Sequence, residues 1–555
     1  MVVQKPTGRW PEEVPPVYRS PLLAQGIREV KKKIVAEVEA GLDEVLGMAT
    51  RCASVREVEE QLWKVVLDSA RLTMSCVASV MCQQATEADI AARGLREDEV
   101  RLRNEEDYWI TLTTTFGPAR FFSYAYRDSS SGVTTVTRTP ARERVFPLHR
   151  SCRSTELCLE WETKLGSKMP FRHAQEALSY FTHGAVTMED TTIARHAVVV
   201  SGLVERSWLY QEPAAIREVL RERATRDAET DKPIIYVSTD AHALRRYVDD
   251  TWAAQWKMAN GLRVWCVDRR NGAIIHLGGE FTWGDCHYVA EIIDWLVATG
   301  HLPADGDYGE GVVASITVLT DGMPWIEDHL ASKFSCPVVI LDAFHAMEHL
   351  KGYADARFGK GSKQAREFYD QCVRLLLGPR SDKPAKLRKR RTEEPDNAGQ
   401  ETSDSEALLP WFVWPASERC PSAVIVLIEA LSLEHVHICA EGDRDKLVAY
   451  LEHNAYRMDY RRYRALGYQI GSGAMESLHR TGSQCRLKIP GARWLPETSQ
   501  ALFNLRMLNL CGRWDEFWHQ PGLTEKLVEV FSKAPDEVEL EAAEETCEEV
   551  YDEAA

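Results

Sequence analysis

Three stretches of the chain present a carboxylate where a rigid element would hold it: IIYVSTDAHA around Asp240, ITVLTDGMPWI around Asp321 and GYQIGSGAMES around Glu476. In the first two, a β-branched run leads into an aspartate. In the third, a Gly-Ser-Gly turn launches a helix with a glutamate in its first turn. Hard cations such as Mg²⁺ (or Mn²⁺) take oxygen ligands and keep several waters, so carboxylates in the order Asp, Asp, Glu are the minimum set for two divalent ions on a phosphodiester. Two such ions, about 4 Å apart, activate the attacking oxygen and neutralise the leaving one. Each residue also has a plainer explanation. Asp321-Gly322 is a common turn dipeptide, Asp240 could cap whatever follows its strand, and Glu476 could pair with Arg480 four residues on. In combination they point to nucleic-acid chemistry.

The elements that must position these residues alternate from Pro233 onward. Strands are expected at Ile234 to Thr239, Leu262 to Val267, Ala273 to Leu277 with Phe281 and Thr282 beyond, Ser315 to Leu319, and Pro337 to Leu341. Helices are expected at His287 to Ala298 and Phe344 to Tyr353. The order βββαβαβα, with aspartates closing strands one and four, is that of a ribonuclease-H-like domain. The expected fold is therefore an α/β ribonuclease-H-like catalytic domain with a large, mostly helical insertion, preceded by helical N-terminal domains with a small β segment. The boundaries read as a helical region over 1–105, a β segment over 106–150 and a helical, helix-turn-helix-like DNA-binding candidate over 151–230. The catalytic core follows at 231–354, a helical insertion at 355–465 with a disordered loop at about 381–408, the rest of the core with Glu476 at 466–520, and a helix with an acidic disordered tail at 521–555.

Within the first region, Ile27, Val30, Ile34, Val38, Leu42 and Val45 keep a three-or-four spacing that Val58, Leu62 and Val65 repeat after Ser54, as expected for a core stripe or a dimer seam. In the third region a helix from Phe171 to Phe181 should break at His183-Gly184. A second helix should be opened by a capping box of Thr187 and Asp190, with Ile193, Ala197 and Val200 inward and Thr192, Arg195 and His196 outward.

The net charge of −17 argues at first against a nucleic-acid partner, but the charge is segregated. Asp536 to Ala555 carries ten acids and no base, whereas Arg457 to Trp494 holds eight Arg/Lys against two acids, and Lys383 to Arg391 packs six bases into nine residues. The positive part surrounds Glu476. Fourteen cysteines occur without one C-x-x-C pair, so neither a zinc knuckle nor a disulfide framework can be read from spacing. The start, MVVQKPTGRWPEEVPP, lacks a signal-peptide apolar segment, and the run Ala423 to Leu433 is far short of the roughly 20 residues a bilayer requires. A cytoplasmic, nucleoid-associated protein without a membrane partner is expected.

The motifs TDGMPWI (Thr320 to Ile326), LDAFHAMEHL (Leu341 to Leu350) and IGSGAMESLHR…RLKIPGARW…LNLCGRWDEFW (Ile470 to Trp518) resemble insertion-sequence DDE transposases of the ISKra type, relatives of the Mutator-like superfamily, over roughly Thr113 to Trp518. The resemblance implies that Asp240, Asp321 and Glu476 are the catalytic, metal-binding triad. It also implies that Asp342 and His345 form the superfamily's D-x-x-H motif in support. The activity implied is Mg²⁺-dependent cleavage at transposon ends followed by joining of the 3′-hydroxyl to target DNA. The partners are then double-stranded DNA, as terminal repeats and target, and further copies of the chain in a homo-oligomer. Arg480, Arg486, Lys488 and Arg493 would neutralise phosphates and Trp494 would stack on a base, although tryptophans such as Trp494, Trp514 and Trp518 are more often core. Two departures stand out: Ala241 and His242 follow Asp240 where the family has Gly, and YRDSSSG stands where relatives carry a cysteine knuckle. A homologue that binds DNA without cutting it is the alternative.

Overall fold

The computed structural model describes residues 23–51, 54–95, 100–103, 109–123, 125–128, 136–248, 253–378, 423–433 and 438–533. The chain divides into two compact units, Met1–Glu205 with Leu495–Ala555, and Arg206–Trp494. The expected loop at 381–408 and the acidic tail lie outside the described residues.

The first unit opens with two long helices, α1 (Leu23–Thr50) and α2 (Val55–Ala92). Ser54 starts α2 through a capping box with Glu57, and the helices come close where Gly41 faces Val65: a Cβ on Gly41 would sit 2.7 Å from the valine methyls. Of the stripe expected after Ser54 only Val65 is buried, and Leu62 is exposed. By length and composition alone α2 is apolar enough to cross a membrane, a test that core helices of soluble proteins also pass. Next come β1 (Val100–Arg103), a hairpin of β2 (Trp109–Thr114) and β3 (Gly117–Phe122), then β4 (Ala125–Asp128) and β5 (Val136–Arg138), with β4 pairing antiparallel to both β1 and β5. Three helices follow, α3 (Glu156–Lys168), α4 (Phe171–Phe181) and α5 (Asp190–Ser201).

Ile193, Ala197 and Val200 face inward on α5 as expected, but two expectations fail there. The helix starts from Glu189 without a side-chain cap, and His196 is buried rather than outward. The reason is a buried carboxylate: His196 Nδ1 lies 2.5 Å from Glu162 Oε2 on α3. Glu162 Oε1 accepts from Ser154 Oγ at 2.6 Å and Cys158 Sγ at 3.2 Å, while Cys152 Sγ stands 3.7 Å from His196 Nε2. A buried charge this well partnered costs little in place and much when one partner is removed.

The second unit begins with α6 (Pro213–Glu222) and carries a five-stranded mixed sheet of β6 (Ile234–Val248), β7 (Ala253–Val267), β8 (Ile274–Thr282), β9 (Ser315–Thr320) and β10 (Val338–Leu341), in the order β10-β9-β6-β7-β8. Strands β6, β9 and β10 run parallel, and β7 and β8 antiparallel to their neighbours. Helix α7 (Cys286–Ala298) precedes β9, α8 (Pro324–His329) precedes β10, and α9 (Ala343–Phe358) follows it. The element order is the one expected, with one difference: β6 does not end near Asp240. It runs on to Val248, paired with β7 as a two-stranded ribbon, where β9 has already stopped.

The region read as an insertion forms α10 (Lys363–Leu377), α11 (Ala423–Ser432), α12 (Ile438–Asn454) and α13 (Tyr460–Ala465). It shares one core with the sheet. Phe368, Leu427 and Leu451 join Tyr236, Trp265, Leu319 and Ile340 in a single buried cluster. Short helices α14 (Gly473–Leu478) and α15 (Cys485–Leu487) complete this unit, and the chain then returns to the first with α16 (Pro496–Leu510), α17 (Trp514–Trp518) and α18 (Leu523–Lys533). The stretch after 495, read from sequence as part of the catalytic core, instead packs on α3 and α5 and buries Leu502, Phe503, Leu505 and Leu508.

The His196–Glu162 pair makes stability pH-dependent. Burial alone would lower the imidazole's pKa, but Cys152 and Glu162 outweigh it and raise it to about 9. Stabilisation is thus complete below the ordinary value near 6.5 and is lost as pH rises through about 9. His196→Gln should cost roughly 3–5 kcal/mol at pH 6. The gap between the two thermal midpoints should narrow steadily toward pH 9, measured by circular dichroism.

Candidate active site

The parallel register of β6, β9 and β10 sets the site. β6 and β9 pair as far as Ser238 with Leu319, and Asp240 and Asp321 each follow two residues on. β9 and β10 pair as far as Thr320 with Leu341, and Asp321 and Asp342 each follow one residue on, with Asp342 N donating to Thr320 O at 2.7 Å. Three aspartates therefore stand at the same level on adjacent strands, at the carboxyl ends of the parallel part of the sheet. Clefts at such strand ends are where open α/β sheets bind ligands.

Each carboxylate is held by the backbone that follows it. Asp240 Oδ1 accepts from Ala241 N at 2.7 Å, Asp321 Oδ1 from Met323 N at 3.0 Å and Asp342 Oδ1 from Phe344 N at 2.8 Å. The Asp321 turn needs Gly322, whose φ of +99° is a left-handed conformation that side chains disfavour. Asp342 is buried and caps α9. Its second oxygen accepts a short hydrogen bond from Ser472 Oγ, and Ala343 N donates to Ile470 O at 2.8 Å. These bonds bring the Ile470–Ser472 turn, and with it the start of α14, to the end of β10. A Cβ on Gly471 would sit 2.7 Å from the exposed Phe344 ring, so a larger residue there would have to displace that ring.

α14 is then laid against the sheet beside Asp240. Arg263 Nη1 donates a short hydrogen bond to Ala474 O, and Met475 fills the space over Gly261, the residue paired with Asp240 across β6 and β7. His479, directly after α14, places Nδ1 3.6 Å from Asp240 Oδ2. Its ring lies 4.5 Å from that of His242, whose Nε2 is 2.7 Å from Ser483 Oγ. Burial, with His479 and Lys488 nearby, pushes His242 down to about 3, so this imidazole is neutral. His479 is held below its ordinary value by burial, against the pull of Asp240 and Glu476. Asp240 is raised by burial, with His479 opposing and the Asp321 charge adding to the rise.

The sequence-derived residues divide into two groups. Asp240, Asp321 and Asp342 are brought together, and His345, in the first turn of α9, lies close enough for its charge to act on Asp240. Glu476 stands on the right helix, but its side chain is 75% exposed and 3.3 Å from Arg480, the plainer pairing. Among the described residues no three acidic, histidine or cysteine side chains are gathered as a metal-holding group. Lys488 and Arg493 are exposed.

Two expected DNA contacts are corrected. Arg486 is only 1% exposed, with its guanidinium 4.9 Å from the centre of the Trp494 ring. Trp494 Nε1 donates to Leu487 O at 2.8 Å, and Trp494 O accepts from Tyr247 N at 2.9 Å. Both residues are thus spent on closing the loop after α15 against the β6 ribbon. Trp514 and Trp518 are core residues. His479 was missed by sequence reasoning, although Glu476-x-x-His479 places both residues on one helical face and was a usable signal.

No family model matches the chain, and no curated protein matches it. Among solved structures, the Drosophila P element transposase strand transfer complex aligns over 67% of this chain and 83% of that chain, at 13% identity and a TM-score of 0.20. At that score the likeness carries no argument, and the site stands on its own geometry.

Arg486→Ala should lower stability by about 2 kcal/mol or more through lost packing and lost cation–π contact. Lys488→Ala and Arg493→Ala should stay within about 0.5 kcal/mol of wild type, as exposed substitutions do. Urea unfolding of the three variants checks both statements.

Proposed function

We propose that the Arg206–Trp494 unit is the catalytic part of a DDE-type DNA transposase. It would cut phosphodiester bonds at the ends of an element and join the freed 3′-hydroxyl to target DNA. The observation that carries this reading is the row Asp240, Asp321 and Asp342 at the ends of three adjacent parallel strands, with the helix of Glu476 tied to the same row. The sheet, with three antiparallel strands and two further parallel ones on the far side of the first, supports a ribonuclease-H-like assignment.

The donor set fits a hard divalent cation. Asp240 and Asp321 offer carboxylate oxygens side by side, and Mg²⁺ is commonly held by one or two carboxylates with waters and substrate phosphate oxygens in the remaining positions. When bound, such an ion supplies Lewis-acid charge at the phosphodiester and a lowered pKa for the attacking water. The protein's own residues do the positioning. Backbone N–H groups fix one oxygen of each aspartate, His479 lies 3.6 Å from the other oxygen of Asp240, and Ser472 with Asp342 fixes the start of α14. To join the aspartates, Glu476 would have to give up its Arg480 partner. Arg480, Lys488 and Arg493 face solvent on the same segment and would meet phosphates.

The Glu476–Arg480 pair favours one second reading, a homologue that binds DNA without cutting it. The two are separated by assaying Mg²⁺- or Mn²⁺-dependent cleavage of DNA bearing the terminal repeats that flank the gene. Asp321→Asn removes a charge with little change of shape, so it should reduce end cleavage by roughly 10³-fold or more, in the range found for single catalytic groups, while binding survives. Cleavage by Asp321→Asn at the wild-type rate refutes the catalytic reading, and binding by a wild type that never cleaves supports the second one.

The same binding assay tests the basic segment. Lys488→Ala and Arg493→Ala should each flatten the dependence of log affinity on log salt by about one unit. Arg486→Ala, being buried, should leave that slope unchanged.

A further inference from the structure

Two exposed apolar side chains stand beside the aspartate row, and the aspartates themselves fix them there. The backbone N–H that Asp321 Oδ1 accepts belongs to Met323, and the one that Asp342 Oδ1 accepts belongs to Phe344. Each apolar residue thus follows its aspartate by two, at the ends of the adjacent strands β9 and β10. Met323 is 51% exposed and Phe344 62%. Side chains left this far in water add little to folding, so stability does not account for the pair.

The Phe344 ring also lies next to a carboxylate. A Cβ on Gly471 would sit 2.7 Å from the ring and 3.6 Å from Asp342 Oδ1, so ring and carboxylate flank one point at the Ile470–Ser472 turn. Trp494, the stacking surface expected from sequence, is committed to its own loop through Leu487 O and Tyr247 N. At the strand ends the open aromatic face is that of Phe344.

The two chemistries match the two parts of a nucleotide. Carboxylates, through a hard cation, take the phosphate, and an apolar face takes the base. A paired duplex cannot complete that match, because the faces of each base are covered by the bases stacked above and below it. The match is complete only when the base beside the scissile phosphate has left the stack. Resting on the reading of this row as the DNA-cutting site, we infer that its preferred substrate is DNA with unpaired bases next to the cut. The freed base stacks on Phe344 and packs against Met323, while its phosphate is held over the aspartates.

Two DNA probes of one sequence test this, a duplex carrying the terminal repeat and the same duplex with a few base pairs mismatched at the repeat boundary. By fluorescence anisotropy in Ca²⁺, wild type should bind the mismatched probe roughly ten-fold more tightly than the duplex. Phe344→Ala should lose most of that preference. Phe344→Leu should lose it too, since leucine still covers Gly471 but has no aromatic face, and it carries the test should Phe344→Ala fail to fold. Phe344→Trp should keep it. Trp256→Ala removes another exposed ring, on the face of the β6–β7 ribbon opposite Asp240, and should change nothing. Equal binding of the two probes by wild type, a preference that survives Phe344→Leu, or an equal loss with Trp256→Ala overturns the inference. Cleavage of the same probes in Mn²⁺ separates it from the catalytic reading. Equal cutting of both probes leaves that reading standing and overturns this one, whereas a Phe344-dependent preference in a wild type that never cuts upholds recognition of unpaired DNA without catalysis.

Discussion

The carboxylate of Asp342 holds two distant parts of the second unit in one place. It accepts from Phe344 N and so starts α9, and it accepts from Ser472 Oγ and so fixes the turn that starts α14, a residue separation of 130 along the chain. Because Asp342 follows the last pair of β9 and β10, its position is set by sheet register rather than by any loop. Everything else at the strand ends inherits that register. Asp321 is one strand over, Asp240 two, and α14 reaches Asp240 because its first turn is pinned at the far side of the row. Rigid sheet ends supply the placement that an assembly of like charges needs, since repulsion between Asp240 and Asp321 would otherwise push a flexible loop apart.

The strands and the element order were largely legible in the sequence; their register was not. β-branched runs ending in aspartate marked where β6 and β9 lie, whereas Asp342 was reached only through the family motif and its capping of α9 was not read. The ribbon of β6 beyond Asp240 was not legible, because Asp240-Ala241-His242 carries no strand pattern and the extension exists only through its pairing with β7. Strand propensity is largely packing against a neighbour, and a partner such as Asn260 for Ala241 lies outside the window of a local reading. The same cause hid the inward turn of His196, whose partner Glu162 lies 34 residues away.

Charge counting was the weaker guide. The eight bases between Arg457 and Trp494 suggested a continuous positive surface around Glu476, yet Arg457 and Arg486 are fully buried and Arg480 is engaged by Glu476 itself. Composition weighs a guanidinium stacked on a tryptophan the same as one facing solvent. A long guanidinium stem packs as readily as it solvates, so a basic segment can be half scaffold. Helix α2 shows the converse. The stripe read there buries Val65 and leaves Leu62 exposed, because periodicity does not say which side of a helix looks inward.

The first unit is assembled from both sides of the second. Its α3 and α5 are covered by α16, which follows Leu495, and Phe531 of α18 lies edge-on to His196 at 5.4 Å. During synthesis the strands and helices of residues 206–494 therefore leave the ribosome with all their partners available, while α3 and α5 wait with bare apolar surface until nearly three hundred more residues have been added. Domains fold as units as they emerge, and exposed apolar surface is what chaperones bind. The partners of the internal unit are thus all synthesised before the last partners of α3 and α5, which leaves the apolar faces of those two helices without α16 for that interval.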